Sequence, residues 1–205
     1  MGELKLYSVT DDYISFLQSM YSNVYSNKQE SRTHTRKYIG VAFRSGKYNY
    51  YVPLSSPKRS DYQFAGGKLV IKKSIVPIIR IVVKNARRER ELKGTLRISH
   101  MIPVPVSEFI KYDLDNEKDI KYKELVSDEM IYIRKNRHRI IQNAEEVYHQ
   151  KIHQDESAKY IKTALDFEWL EILCDMFVKK KTRCQQRLSY YFRNYKRICV
   201  CEAYS

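Results

Sequence analysis

The sequence predicts an α+β fold, and three observations carry the prediction. Through the first half, apolar residues come in about six short β-leaning runs separated by glycine, proline and polar clusters. Through the second half the apolar period lengthens to that of amphipathic helices. The chain has 205 residues, 43% of them apolar, enough for one core with an extension, and it holds no internal repeat. Short strands followed by helices read as a curled sheet or small barrel with helices packed on it.

Taken in order, Leu4 to Val9 is a first strand. Thr10 then offers a helix cap, with Asp11 and Asp12 in a first turn that favours acids, and Tyr13, Phe16, Leu17 and Met20 repeat at helical spacing. Ser22 to Thr35 is polar without an apolar period and reads as a long loop. Tyr38 to Phe43 and Lys47 to Pro53 form a hairpin about Ser45-Gly46. Residues 59–67 read as a polar loop ending in Gly66-Gly67. Lys68 to Lys72, Val76 to Val83 and Thr95 to Pro103 read as further strands, with a charged connection from Lys84 to Lys93 and a break at Pro103-Val104-Pro105. Asp119 caps a helix whose apolar stripe runs Tyr122, Val126, Met130, Ile133, Ile140, Ala144, Val147. A second helix starts near Ser157 and carries Ile161, Leu165, Trp169, Ile172 and Met176. Beyond 178 the character changes. Lys179 to Arg197 holds eight Lys and Arg and no acid, with Leu188, Tyr191, Phe192, Tyr195 and Ile198 on one helical face. The domain organisation expected is therefore 1–178 followed by a basic, tyrosine- and cysteine-containing extension over 179–205.

A net charge of +14 points to a polyanionic partner. With 18 Tyr against 7 Phe and 1 Trp, phenol rings that stack on bases favour nucleic acid over lipid, although many of these rings also suit a core. No run approaches ~18 uncharged apolar residues, so no membrane span is expected. Met1 to Lys5 lacks the layout of a signal peptide, and a cytoplasmic location is expected. The cysteines, Cys174, Cys184, Cys199 and Cys201, form no Cys-x-x-Cys pair and read as thiols. Neither a Gly-x-x-x-x-Gly-Lys-Ser/Thr loop nor a Gly-x-Gly-x-x-Gly fingerprint occurs, and neither does His-Glu-x-x-His. No cofactor or metal is therefore expected.

The most informative stretch is Val52-Pro53-Leu54-Ser55-Ser56-Pro57-Lys58-Arg59. Two prolines end regular pairing, and the turn between them carries two hydroxyls with a lysine close behind. Such a set suits hydrogen bonding and charge donation to a phosphate, and equally an ordinary strand-ending turn. RNA supplies its own nucleophile, the 2′-hydroxyl. A protein need only align it with the phosphate, manage two protons and stabilise the added charge. Lysine, serine, histidine and tyrosine suffice for that. The composition fits a non-catalytic RNA-binding module as well.

Several blocks resemble the ToxN/AbiQ family of endoribonuclease toxins of type III toxin–antitoxin systems. They are Ile39-Gly40-Val41, the Pro-Leu-Ser-Ser-Pro-Lys block at 53–58, Leu96 with Met101-Ile102-Pro103-Val104, Tyr122-Lys123-Glu124-Leu125, Ile131-Tyr132-Ile133-Arg134, and Asp166-Phe167-Glu168-Trp169-Leu170-Glu171. The resemblance runs from about Leu4 to Phe177. It implies a compact, strongly twisted antiparallel β-barrel core with surrounding helices. It implies metal-independent cleavage of RNA to 2′,3′-cyclic phosphate and 5′-hydroxyl ends, a substrate mRNA, and a bacterial anti-phage role. It also implies a repeated RNA pseudoknot as inhibitor, in a protein–RNA hetero-oligomer. Carried over, Ser56 is the leading hydroxyl, with Ser55 beside it and Lys58 facing the scissile phosphate. The family places a tyrosine and a lysine ahead of the Ile-Gly strand. Here Arg36 matches the lysine best, with Lys37 next, and no tyrosine falls at the expected place. His34 is then a candidate for proton transfer or for a contact on the RNA surface. Candidate RNA contacts are Arg32, Lys37, Arg59, Arg87, Arg88, Lys180, Arg183 and Arg187.

Overall fold

The computed structural model describes residues 3–27 and 34–201, apart from the side chains of 185 and 187–201. Strand β1 (Lys5–Val9) leads into helix α1 (Asp11–Met20), whose cap is the expected one: Tyr13 donates its backbone N–H to Thr10 Oγ1 at 3.4 Å. Strands β2 (Lys37–Ser45) and β3 (Tyr48–Ser55) form the central hairpin, in register Ile39 with Val52 and Phe43 with Tyr50. Gly46, at φ +52, turns it, a conformation that costs glycine little.

The opposite edge of β3 is shared by two strands. Strand β8 (Ile102–Pro103) pairs at Tyr50 and Tyr51, and β7 (Arg90–Arg97) pairs Thr95 with Ser55 and Leu96 with Leu54. The path is completed by β6 (Ile78–Lys84) on β7 and β9 (Phe109–Lys111) on β1, in the order β6-β7-β3-β2-β1-β9, every pairing antiparallel. A separate hairpin, β4 (Tyr62–Ala65) with β5 (Lys68–Ile71), turns at Gly66-Gly67. Helices α2 (Ile120–Lys135) and α3 (Arg137–Ile152) pack on the sheet, α2 against β6 and β7 and α3 against β2, while α4 (Phe167–Cys201) packs against α1 and α3. No helix among the described residues is long and apolar enough to cross a membrane.

The core is unusually phenolic. Tyr13, Tyr38, Tyr50 and Tyr51 are among the largest fully buried side chains. A buried phenol needs a partner for its hydroxyl. Tyr13 donates to the Pro103 carbonyl at 2.7 Å, and Tyr50 and Tyr148 donate to Glu171 at 2.8 and 3.0 Å. These tyrosines hold the sheet to the helices and are not available to bases. The Ile-Gly motif is explained by packing too. A Cβ on Gly40 would lie 2.1 Å from Cδ1 of Tyr51, whose ring is edge-on to Tyr7 at 5.3 Å. Gly40→Ala is expected to destabilise the protein by about 1–3 kcal/mol, the usual cost of overpacking, read as a lower denaturation midpoint.

The α+β class stands, with corrections to its details. No pairing among the described residues joins β6 to β9, so no closed barrel is found among them. Six strands lie on that path, and the two-residue β8 beside β3 makes the sheet seven-stranded. The loop at 59–67 contains β4, and the charged connection already pairs from Arg90. The apolar stripe from Tyr122 to Val147 belongs to two helices that part at Asn136, whose side chain donates to the Tyr132 carbonyl at 2.9 Å. The helix expected from Ser157 starts instead at Phe167, after a 3₁₀ turn at Lys159–Thr163. Helix α4 runs unbroken through 178, and Lys181 is tied to buried Glu108 at 2.6 Å.

Candidate active site

Proline places the site. Pro53 still pairs with Tyr38, but after Ser55 the ladder ends and Pro57 bars its return. Ser55 is buried, paired with Thr95 of β7, and Ser56, just past the end of β3, is exposed. Both line a cavity of about 240 Å³ together with His34, Arg36, Lys37, Lys93, Tyr122 and Glu129.

Arg36 organises this cavity. It is buried just ahead of β2, where it donates through Nη1 to Ser55 Oγ at 2.8 Å and the Leu54 carbonyl at 3.1 Å, and through Nε to the Ser26 carbonyl at 3.1 Å. Arg36 therefore places a fixed positive charge on the serine turn. Lys37 also lines the cavity, but its ammonium donates to Ser8 and Thr35 hydroxyls, both at 3.1 Å, and lies 4.3 Å from the centre of the Tyr112 ring. His34 stacks on Tyr122 with ring centres 3.8 Å apart, and its Nε2 meets Asp119 at 3.2 Å. That leaves one ring nitrogen for another partner.

Lys58 is exposed and not among the residues lining the cavity. It belongs to an adjoining aromatic and cationic cluster built on Tyr25. Its ammonium lies 5.8 Å from the Tyr25 ring centre, the Arg36 guanidinium carbon lies 4.7 Å from it, and His100 stacks on the same ring at 4.3 Å. The His100 imidazole is pushed down to about 4, by burial first and then by Arg97, Lys58 and Arg36, so it is neutral at pH 7. Asp61 underpins the turn. Its fully buried carboxylate accepts the Lys58 N–H at 3.0 Å and pairs with Arg80 and Arg97, each at 3.1 Å.

The sequence candidates thus separate. Arg36, Ser55, Ser56, His34 and Lys37 meet in one cavity, with Lys58 joined to them through Tyr25 and Arg36. Arg59 is exposed beside Lys58, and Arg87 and Arg88 lie at the far tip of the β6–β7 hairpin, in a turn held by Asn85. Lys180 and Arg183 are exposed on α4, away from the serine turn in the chain order, while Arg32 and the Arg187 side chain lie outside the described residues. Tyr25, His100 and Glu129 escape sequence reasoning as site residues. Nothing in their spacing links Tyr25 or His100 to the turn, but Glu129 had a signal, an acid on the apolar face of α2 between Val126 and Met130.

Comparison with known proteins agrees with this architecture. Residues 5–175 match the family model of the toxin ToxN of type III toxin–antitoxin systems. The endoribonuclease AbiQ of Lactococcus lactis subsp. lactis is 30% identical over 179 residues, covering 87% of this chain and 92% of AbiQ. The endoribonuclease ToxN of Bacillus thuringiensis subsp. kurstaki is 27% identical over 189 residues, 89% and 88% of the two chains. The solved structure of AbiQ, a lactococcal anti-phage endoribonuclease, superposes with TM-score 0.69 at 26% identity, over 87% of this chain and 99% of AbiQ. A second structure, of a type III system whose toxin is inhibited by a non-coding RNA pseudoknot, gives 0.68 at 26% identity, over 86% and 98%. The fold is that of a class of toxin endoribonucleases. The chain belongs to the ToxN toxin family of type III toxin–antitoxin systems.

Proposed function

We propose that this protein is a metal-independent endoribonuclease toxin of an anti-phage type III system, held inactive by a small repeated RNA pseudoknot. One observation carries the site assignment. At the end of β3 two serine hydroxyls share a cavity with a buried guanidinium bonded to one of them, and a lysine follows two residues on.

In this reading the RNA 2′-oxygen attacks the adjacent phosphorus, and the bond from phosphorus to the 5′-oxygen breaks. The products are a 2′,3′-cyclic phosphate and a 5′-hydroxyl. Ser56 donates to a non-bridging oxygen and orients the attack, since an unassisted serine is a poor base. Arg36 fixes Ser55 and supplies charge at the turn. Lys58 stabilises the phosphorane or protonates the departing 5′-oxygen. His34, which lines the same cavity, takes the proton from the 2′-hydroxyl, while His100, held neutral on the Tyr25 ring, is too weak a base for that role. The high net charge serves both substrate mRNA and antitoxin RNA in a protein–RNA assembly.

The test is cleavage of a long, mixed-sequence RNA in excess EDTA by wild type and Ser56→Ala, both stripped of co-purifying RNA. Wild type is expected to leave 5′-hydroxyl ends, and Ser56→Ala to cleave at least about a hundredfold more slowly. A folded wild type that binds RNA but never cuts it would instead be a non-catalytic RNA-binding regulator.

A further inference from the structure

Glu129 contributes the one carboxyl group among the described residues that line the serine cavity. An acid there is unexpected in a pocket meant for RNA. It reaches the cavity because Tyr122, Leu125 and Glu129, spaced three and four apart on α2, share a helix face. The residue is only 3% exposed, and its carboxyl fits over Gly94 of β7. A Cβ on Gly94 would lie 2.2 Å from Glu129 Oε1 and 3.3 Å from the Ser55 carbonyl oxygen, so the missing side chain makes room for the acid beside the turn.

The neighbouring cations have other partners. Arg36 donates to Ser55, Leu54 and Ser26, and Lys37 to Ser8 and Thr35. Lys93 on β7 pairs with Glu91 at 3.1 Å and Asp128 at 3.4 Å. The groups facing Glu129 are Asp128 and Tyr122 on its own helix, Lys93 on β7, and His34, Arg36 and Lys37 at the start of β2. Burial, then the negative charge of Asp128, pushes its carboxyl up to about 8, against the opposing pull of Lys93. At neutral pH it is a protonated acid, which donates a hydrogen bond. Ionised, it would repel a phosphodiester.

We propose that Glu129 enters the cavity as a neutral hydrogen-bond donor to a phosphodiester oxygen of the substrate strand, so that ionising it expels the RNA. The inference rests on the proposed function, since it places the RNA in that cavity. It adds a pH-sensitive binding group outside the Ser-Ser-Pro-Lys turn.

The test compares wild type and Glu129→Gln, an amide that still donates but cannot ionise, with circular dichroism as the check of folding. The probe is an unstructured, mixed-sequence oligonucleotide with 2′-fluoro sugars, which has no hydroxyl to attack. Between pH 7 and 9 wild-type affinity is expected to fall about tenfold, a factor of ten for each pH unit above the carboxyl's pKa, and that of Glu129→Gln by less than about threefold. Parallel falls, a flat wild-type profile, no wild-type binding at pH 7, or loss of binding by folded Glu129→Gln at pH 7 would each overturn the inference. A parallel assay with ordinary RNA at pH 7 keeps the two readings apart. Wild type that fails to cut it refutes the endoribonuclease reading, whereas cutting together with parallel affinity profiles refutes only the role of Glu129.

Discussion

Lys58→Ala is expected to slow RNA cleavage by about 10²–10³-fold under single-turnover conditions, the usual loss when a donor to developing transition-state charge is removed. The fold is expected to survive, with stability within about 0.5 kcal/mol of wild type, because Lys58 is exposed and Asp61 holds its backbone N–H, not its side chain. A second readout separates this from a general loss of basic surface. Lys58 is one of three cations that depress His100, so its removal raises the His100 pKa from about 4 towards the ordinary range, visible by NMR titration. Lys58→Arg, which keeps the charge, is expected to leave His100 depressed. Retention of the full cleavage rate by Lys58→Ala would remove Lys58 from the site.

The larger effect on stability is expected from Asp61→Ala, a loss of about 3–5 kcal/mol. Asp61 is 0% exposed and its two oxygens serve Arg80, Arg97 and the Lys58 backbone N–H together. Arg80 is itself buried, and its Nε has no hydrogen-bond partner among the described residues. Removing the carboxylate leaves two inward guanidiniums without their counter-charge and lets the turn after Pro57 loosen. For a chain of this size the thermal midpoint would fall by about 10 °C. Cleavage is expected to fall as well, although Asp61 is fully buried, because Lys58 would lose its fixed backbone. Asp61→Asn, which can still accept from Lys58, is expected to lose less. A change below about 1 kcal/mol for Asp61→Ala would mean that the two arginines are satisfied without it.

Local chemistry made part of this legible. Thr10 and Asp119 announce helix starts because a cap needs only neighbouring residues, and both caps are made. The end of β3 is written in Pro53 and Pro57, and the serines appear where the prolines put them. Arg36 was selectable by its distance from Ile39-Gly40, but its bond to Ser55 spans 19 residues and depends on how β2 and β3 pair. Asp61 read as one polar residue in a loop. Only the approach of β6 and β7, with Arg80 and Arg97, makes it a buried anchor.

The α+β class, the charge that calls for a polyanion, the serine–proline turn and, through its motifs, the family were all readable from residue order alone. Tertiary packing decided which groups meet at the cavity and which at the adjoining Tyr25 cluster. Tyr25, His100 and Glu129 come from a loop, a 3₁₀ turn and a helix far apart in the chain. Strand β3 divides its edge between β7 and β8, a pairing that no local pattern announces. Caps and turns are set by short-range hydrogen bonds and backbone sterics. Desolvation and the pairing of distant charges exist only once the chain has packed, and these keep Glu129 and His100 uncharged near the serine turn.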